Sequence, residues 1–247
     1  MAIPTFGTNA VDWEERINFE RLRTDRVAKL PAELEASDLG ALLAFDFANI
    51  RYMSATHIGT WAIDKAIRFS LITRKSDPIV WDFGSAAKHH QLFNPWLDQT
   101  TTEADADPHA AHHGAVKPRL ESGARAGIST LRGAFNPDAG IAQGVAAKIK
   151  RELEKFGLLG EPLGVDIIEL PILFALQQAG VSVVDGQQVF LNARAVKTKE
   201  EIGLLTQACS MVDAAYEDLY EFLKPGVREN EAVGLVAKKL YDLGSEY

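Results

Sequence analysis

The chain has 247 residues, 47% hydrophobic and 24% charged, an ordinary globular composition with room for one large or two modest domains. A formal net charge of -8 without any Lys/Arg-rich run argues against a nucleic-acid partner, because such a surface repels phosphate backbones. The single cysteine, Cys209, excludes an intrachain disulfide, and the start, Met1 to Phe6, has neither the basic cluster nor the apolar core of a signal peptide. No apolar run reaches the roughly 18 residues a membrane span needs, so the expectation is a cytoplasmic protein with no membrane partner.

In chain order, Asp12 can cap a helix running through Ile17, Leu22 and Val27, with Glu14 and Glu15 in the first turn where the dipole favours acids. Gly40 to Phe45 is a short apolar run after a turn signal and reads as a buried strand. Asn49 to Met53 reads as another short extended segment. Ile67 to Thr73 and Ile79 to Phe83 read as two strands joined by a turn at Lys75-Ser76-Asp77-Pro78. Trp96 to Gly123 is polar and poorly periodic, and Arg125 to Ser129 is a weak strand. Ile141, Val145, Ile149, Leu153 and Phe156 mark one face of a helix that Gly157 can end. A strand at Gly164 to Asp166, a helix from Leu170 to Gly180 and a strand from Val181 to Asp185 complete an alternation that predicts an α/β layered domain.

From Thr198 the texture changes. Ile202, Leu205, Cys209, Val212, Tyr216, Leu219 and Leu223 recur at alternating steps of three and four, a long amphipathic helix ended by Pro225-Gly226. Cys209 on this stripe reads as a small buried hydrophobe. A second helix follows with Val233, Val236, Leu240 and Leu243 on one face. Two such faces need cover: either they pack back on the first domain, or a sheet beyond Tyr247 covers them, and the second is the preferred expectation.

Three groups of residues could carry chemistry. His109, His112 and His113, with Asp105 and Asp107, would share a helix face and suit a metal ion; a solvated helix start accounts for them as well. His89 and His90 point in different directions on any regular element. The aromatics Phe45, Phe47, Tyr52, Trp61, Trp81 and Phe83 read mostly as core, with Trp61 set apart by its probable loop. A pocket wall containing it could hold a cation over a ring face.

Three passages, taken together, resemble the creatinase/prolidase ("pita-bread") superfamily. Asn49-Ile50-Arg51-Tyr52 is similar to a segment of its amino-terminal domains. Arg194 to Ile202 resembles the Arg-x-x-Lys-x-x-x-Glu-Ile/Leu junction that opens its catalytic domain. Lys224 to Glu231 resembles the Pro-Gly-x-x-Glu-x-Glu turn between that domain's first two helices. At the junction, Arg194, Lys197, Glu200 and Glu201 are expected to form a local, structural ion-pair network.

The resemblance implies a creatinase-like amino-terminal layered α/β domain over 1–190 and, over 191–247, the first two helices of an incomplete pita-bread α+β domain. In metal-dependent members the ligands, two Asp, one His and two Glu, come from the sheet after those helices, and no residue here matches them. A divalent metal pair is therefore expected only in a full-length parent, with no metal ligand and no catalytic residue in this chain, which alone should be inactive. Asn49 to Trp61, Ile79 to Phe83 and Phe93-Asn94-Pro95 resemble the dimethylsulfoniopropionate lyase branch, whose reaction leaves dimethyl sulfide and acrylate. Xaa-Pro dipeptide or creatinase-like hydrolysis is the alternative, and a non-catalytic dimerisation or binding domain is the alternative of another class. The implied partners are a small-molecule substrate and a second copy of the chain. Trp61, Tyr52 and His57 are the candidate substrate-binding residues, since that domain often reaches over the partner's active site.

Overall fold

The computed structural model describes residues 17–57, 68–82, 84–97, 119–122 and 140–245. Contacts group the chain into two compact units, Arg23–Val196 and Met1–Leu22 with Lys197–Tyr247. The elements, in order, are α1 (Phe19–Glu35), β1 (Ala41–Ala44), α2 (Phe47–Ser54), β2 (Phe69–Thr73), β3 (Ser76–Asp82), α3 (Gly84–Phe93) and β4 (Arg119–Ser122). They continue with α4 (Ile141–Lys155), β5 (Leu163–Val165), α5 (Leu170–Gln178), β6 (Val183–Asp185), α6 (Gln187–Ala195), α7 (Lys199–Phe222) and α8 (Glu229–Asp242).

The unit Arg23–Val196 is built on a six-stranded mixed sheet in the order β4-β3-β2-β1-β5-β6. β1 pairs antiparallel with β2 and parallel with β5, and β5 pairs parallel with β6. Every residue of β1 is buried, as a strand covered on both faces must be. Alternation along it sends Ala41, Leu43 and Phe45 into a core with α4 and α5. Leu42 and Ala44 enter the opposite core, with Leu30 and Leu34 of α1, Ile50 and Met53 of α2, and Phe190 of α6. The expected α/β layering is thus present.

Asn49 to Met53 is helical, not extended. Asp46 caps α2, its Oδ1 accepting from Ala48 N at 2.9 Å and Asn49 N at 3.2 Å, which satisfies donors that a helix start leaves open. Ile50 and Met53, three apart, then share one buried face. The turn between β2 and β3 lies earlier than expected, with Thr73 already opposite Ser76. Ser76 Oγ accepts from Thr73 N at 3.2 Å and Thr73 Oγ1 from Lys75 N at 3.1 Å, so side chains tighten the reversal. Pro78, lacking an N–H, sits in β3 where the register slips between Leu71 and Thr73, a place a sheet tolerates it. The Arg125 to Ser129 strand and the Asp12 cap lie outside the described residues. Asn18 Oδ1 accepts from Arg21 N at 2.8 Å and caps the described start of α1.

In the other unit, α7 opens with a capping box. Glu201 N donates to Thr198 Oγ1 at 3.2 Å and Thr198 N to Glu201 Oε2 at 2.9 Å. Gly226, at a φ of 96°, supplies the left-handed turn before α8. Ala214 and Ala215 are buried on α7, and Lys239 of α8 pairs with Asp218 of α7 at 2.8 Å. The more apolar stripe is uncovered: Ile202, Leu205, Val212, Tyr216 and Leu223 are all exposed. Cys209, expected to be buried on that stripe, is exposed with it. Among the described residues no helix is long and apolar enough to cross a membrane.

Two glycines, Gly186 just after β6 and Gly144 in α4, give a test. A Cβ on Gly186 would stand 2.6 Å from the Gly164 carbonyl carbon and 2.8 Å from its Cα, whereas one on exposed Gly144 in α4 meets nothing within 4 Å. Gly186→Ala should lower stability by about 1–3 kcal/mol through overpacking. Gly144→Ala should raise it by about 0.5–1 kcal/mol. Urea unfolding midpoints at unchanged slope would check both.

Candidate functional site

Of the residues singled out by the sequence, Tyr52 lies in α2 and His57 just after it. Tyr52 is 6% exposed, and its hydroxyl donates to Ala193 O at 3.0 Å. The guanidinium carbons of Arg26 and Arg194 lie 5.1 Å and 5.9 Å from its ring centroid. Its aromatic face thus already receives cations from its own chain, and its place is between α1, α2 and α6. His57 is half-buried, three residues beyond the end of α2. Trp61 lies outside the described residues, as do Phe83, His109, His112 and His113. Phe45 and Trp81 are core; Trp81 stacks on Phe69 with centroids 4.9 Å apart. Phe47 is exposed.

The start of α2 is organised by a carboxylate from β5's end. Asp166 Oδ1 accepts from Phe45 N at 2.9 Å, and Oδ2 accepts from Asp46 N and Asn49 Nδ2, each at 3.0 Å. Asn49 Oδ1 in turn accepts from Arg194 Nη1 at 2.9 Å. Two family-like segments, Asn49 to Tyr52 and the one opening at Arg194, therefore meet through one amide. β1 leads into α2 on one face of the sheet and β5 into α5 on the other. Such a divergence at the carboxyl ends of parallel strands is where open α/β sheets bind ligands. Here the strand-end amides are taken by Asp166.

The end of α2 is held by buried polar groups of which only His90 stood among the residues considered for chemistry from the sequence. Ala55 closes the helix in the left-handed region, φ 55°, with its N–H on Arg51 O. Thr56 then offers its carbonyl and hydroxyl to Arg68 Nη2, at 3.1 Å and 2.5 Å. Arg68 Nη1 lies 3.3 Å from Asp82 Oδ2, and His90 Nε2 lies 3.0 Å from the same oxygen. His90 Nδ1 meets Asn94 Oδ1 at 2.7 Å. Arg68, Asp82 and His90 are each no more than 2% exposed. Trp96 Nε1 donates to Ser54 O at 2.9 Å, and the Arg23 guanidinium lies 4.3 Å from the Trp96 ring centroid. The available signal was an Arg and an Asp at the outer ends of a hairpin's two strands.

Arg194, Lys197, Glu200 and Glu201 were expected to form one network at the junction, and three of them have assigned partners. Arg194 serves Asn49, Glu201 caps α7, and Glu200 pairs with Arg21 while accepting from Asn18 N at 2.9 Å. The Arg21 guanidinium, and then the Asn18 amide, hold the Glu200 carboxyl below the ordinary glutamate range. Among the described residues, no group of three or more His, Cys, Asp or Glu is placed to hold a metal ion, so these residues do not fit a metal pair.

No family model matches the chain. Among solved structures, it aligns with an Xaa-Pro dipeptidase from Bacillus anthracis at TM-score 0.59 and 18% identity, covering 91% of this chain and 50% of that one. A prolidase from Thermococcus sibiricus aligns at TM-score 0.60 and 16% identity, covering 88% and 49%. The chain thus shares a fold with these prolidases over about half of their length.

Sequence similarity carries the likeness to two curated proteins. The dimethylsulfoniopropionate lyase DddP of Roseobacter denitrificans is 25% identical over 212 residues, 83% of this chain and 41% of that protein. Its counterpart in Roseovarius nubinhibens is 24% identical over 209 residues, 81% and 40%. The chain spans about two fifths of these curated relatives and about half of the solved ones.

Glu200 gives a pH test. A carboxyl whose folded pKa is depressed stabilises the fold above its unfolded value, near 4.3, and loses that contribution as pH falls through the folded value. The stability gap between the natural chain and Glu200→Gln should therefore be full at neutral pH and close below about pH 4. Urea melts from neutral to strongly acidic pH would show it; a gap independent of pH would contradict the Arg21 pairing.

Proposed function

We propose that these residues belong to an enzyme of the dimethylsulfoniopropionate lyase kind, which cleaves its substrate to dimethyl sulfide and acrylate. In this reading 1–190 is a creatinase-like amino-terminal domain and 191–247 opens a pita-bread catalytic domain. The observation that carries it is the similarity to two DddP lyases over more than four fifths of the chain. The exposed apolar stripe on α7 supports a further layer of protein on that unit, because contiguous exposed apolar surface marks contact sites.

The proposal places the divalent metal pair, and the acid–base groups that work with it, outside the described residues. The described residues would act as scaffold. Trp61, Tyr52 and His57 remain the proposed substrate-side residues in a homodimer. Tyr52 would do so indirectly, by holding Arg26 and Arg194 beside α2. Xaa-Pro dipeptide hydrolysis is the second reading, favoured by solved structures that share the fold.

The test uses the whole protein encoded by the reading frame that contains these residues, supplied with divalent metal. Headspace chromatography would follow dimethyl sulfide released from dimethylsulfoniopropionate, and a proline assay would follow Xaa-Pro dipeptides. Dimethyl sulfide without proline release is the expected outcome. Proline release alone would transfer the assignment to the dipeptidases, and neither product would favour a binding or dimerisation role.

A further inference from the structure

We infer that Arg68 is a positioning residue: its buried guanidinium fixes the Thr56–His57 peptide and so sets where the His57 imidazole stands. The use of that imidazole on a substrate rests on the lyase reading above; its placement does not.

The geometry is specific. α2 ends at Ser54, and the chain then turns through Ala55 at a φ of 55°. A residue with a Cβ occupies that region only at a steric cost and stays there only when its surroundings enforce it. The surroundings here are polar and buried. Ser54 Oγ donates to Ile50 O at 2.7 Å and lies 2.7 Å from Thr56 Oγ1, while Thr56 N donates to Ser54 Oγ at 3.3 Å. Arg68 Nη2 then takes both oxygens of Thr56, the carbonyl among them. That carbonyl belongs to the peptide leading into His57, so its orientation and the start of His57 are fixed together.

Arg68 can do this because it is held from behind. Asp82, at the end of β3, faces both Arg68 and His90, and His90 faces Asn94 within α3. The planar guanidinium presents several donors in a fixed fork, which a lysine ammonium cannot copy. Charge pairing alone does not require this arrangement, since a buried pair of this kind is a weak source of stability. What it contributes is direction, carried from the sheet to a half-buried histidine just past a helix end.

Three variants of the whole protein separate the possibilities. Thr56→Val keeps the shape and the carbonyl but removes the hydroxyl, Arg68→Lys keeps the charge but loses the fork, and His57→Ala removes the imidazole. The first readout, independent of any substrate, is amide hydrogen exchange. Thr56→Val and Arg68→Lys should speed exchange at residues 55–57 about tenfold, the size of one lost bond to a charged group, while β2 and β3 keep their protection. Should Arg68→Lys unfold the protein, Thr56→Val decides alone. Unchanged exchange at 55–57 overturns the inference whatever the enzyme does.

The second readout is kinetic, on whichever substrate the protein turns over. Thr56→Val should raise KM about tenfold with kcat little changed, and should have no further effect in the His57→Ala background. A KM effect that persists undiminished without His57 overturns positioning through that residue. Failure to turn over dimethylsulfoniopropionate removes the lyase reading and leaves the exchange result standing.

Discussion

The arrangement around α2 depends on the carboxylate of Asp166. Placed one residue after β5, it accepts the amides of Phe45 and Asp46 at the end of β1 and the side-chain amide of Asn49. Several donors on one carboxylate make strong, charge-assisted bonds. They tie the carboxyl ends of two parallel strands together where their helices leave for opposite faces. Asp46 is then free to cap α2, and Asn49 is turned so that its oxygen meets Arg194. Removing the carboxylate would leave several partly buried donors to find other partners, the expensive way to break such a network.

α2 is only eight residues long, too short to persist on helix propensity alone. It is fixed at its start by Asp46, Asp166 and Asn49, along its face by Ile50 and Met53, and at its end by Arg68 and Thr56. A short helix so anchored can serve as a rigid mount for the residues after it. The sequence likeness to two lyases and the fold likeness to peptidases extend over about two fifths and about half of those proteins. What differs among such enzymes is grafted onto the scaffold. Among the described residues, no group of three or more His, Cys, Asp or Glu is placed to hold a metal ion.

Much of this was legible in the sequence because apolar periodicity reports burial directly. The β1 run, the face of α4 and the alternation through β5, α5 and β6 could all be read from it. α2 was not, since Asn49 to Met53 is too short to show a helical period, and its cap, Asp46, looks like a turn residue after a strand. α3 was missed because its stretch is Gly, Ser, Ala and His with few apolar residues. The α7 stripe was read correctly as apolar, but Cys209 showed that an apolar stripe is not by itself a buried one. Of the site, Asn49 and Arg194 were each singled out as members of separate motifs. Their meeting, 145 residues apart, is a product of topology, as is that of Thr56, Arg68, Asp82 and His90. Local patterns do not record which strand ends lie side by side.

The Asn49-Ile50-Arg51-Tyr52 segment and Arg194 form one structural joint through the Asn49 side chain. A double-mutant cycle with Asn49→Ala and Arg194→Met, read by urea unfolding, measures that joint directly. The coupling should be roughly 1.5–3 kcal/mol, as for a hydrogen bond to a charged group, with the double variant scarcely less stable than the worse single one. Additive losses would mean that the two segments are held independently, and the joint would not exist.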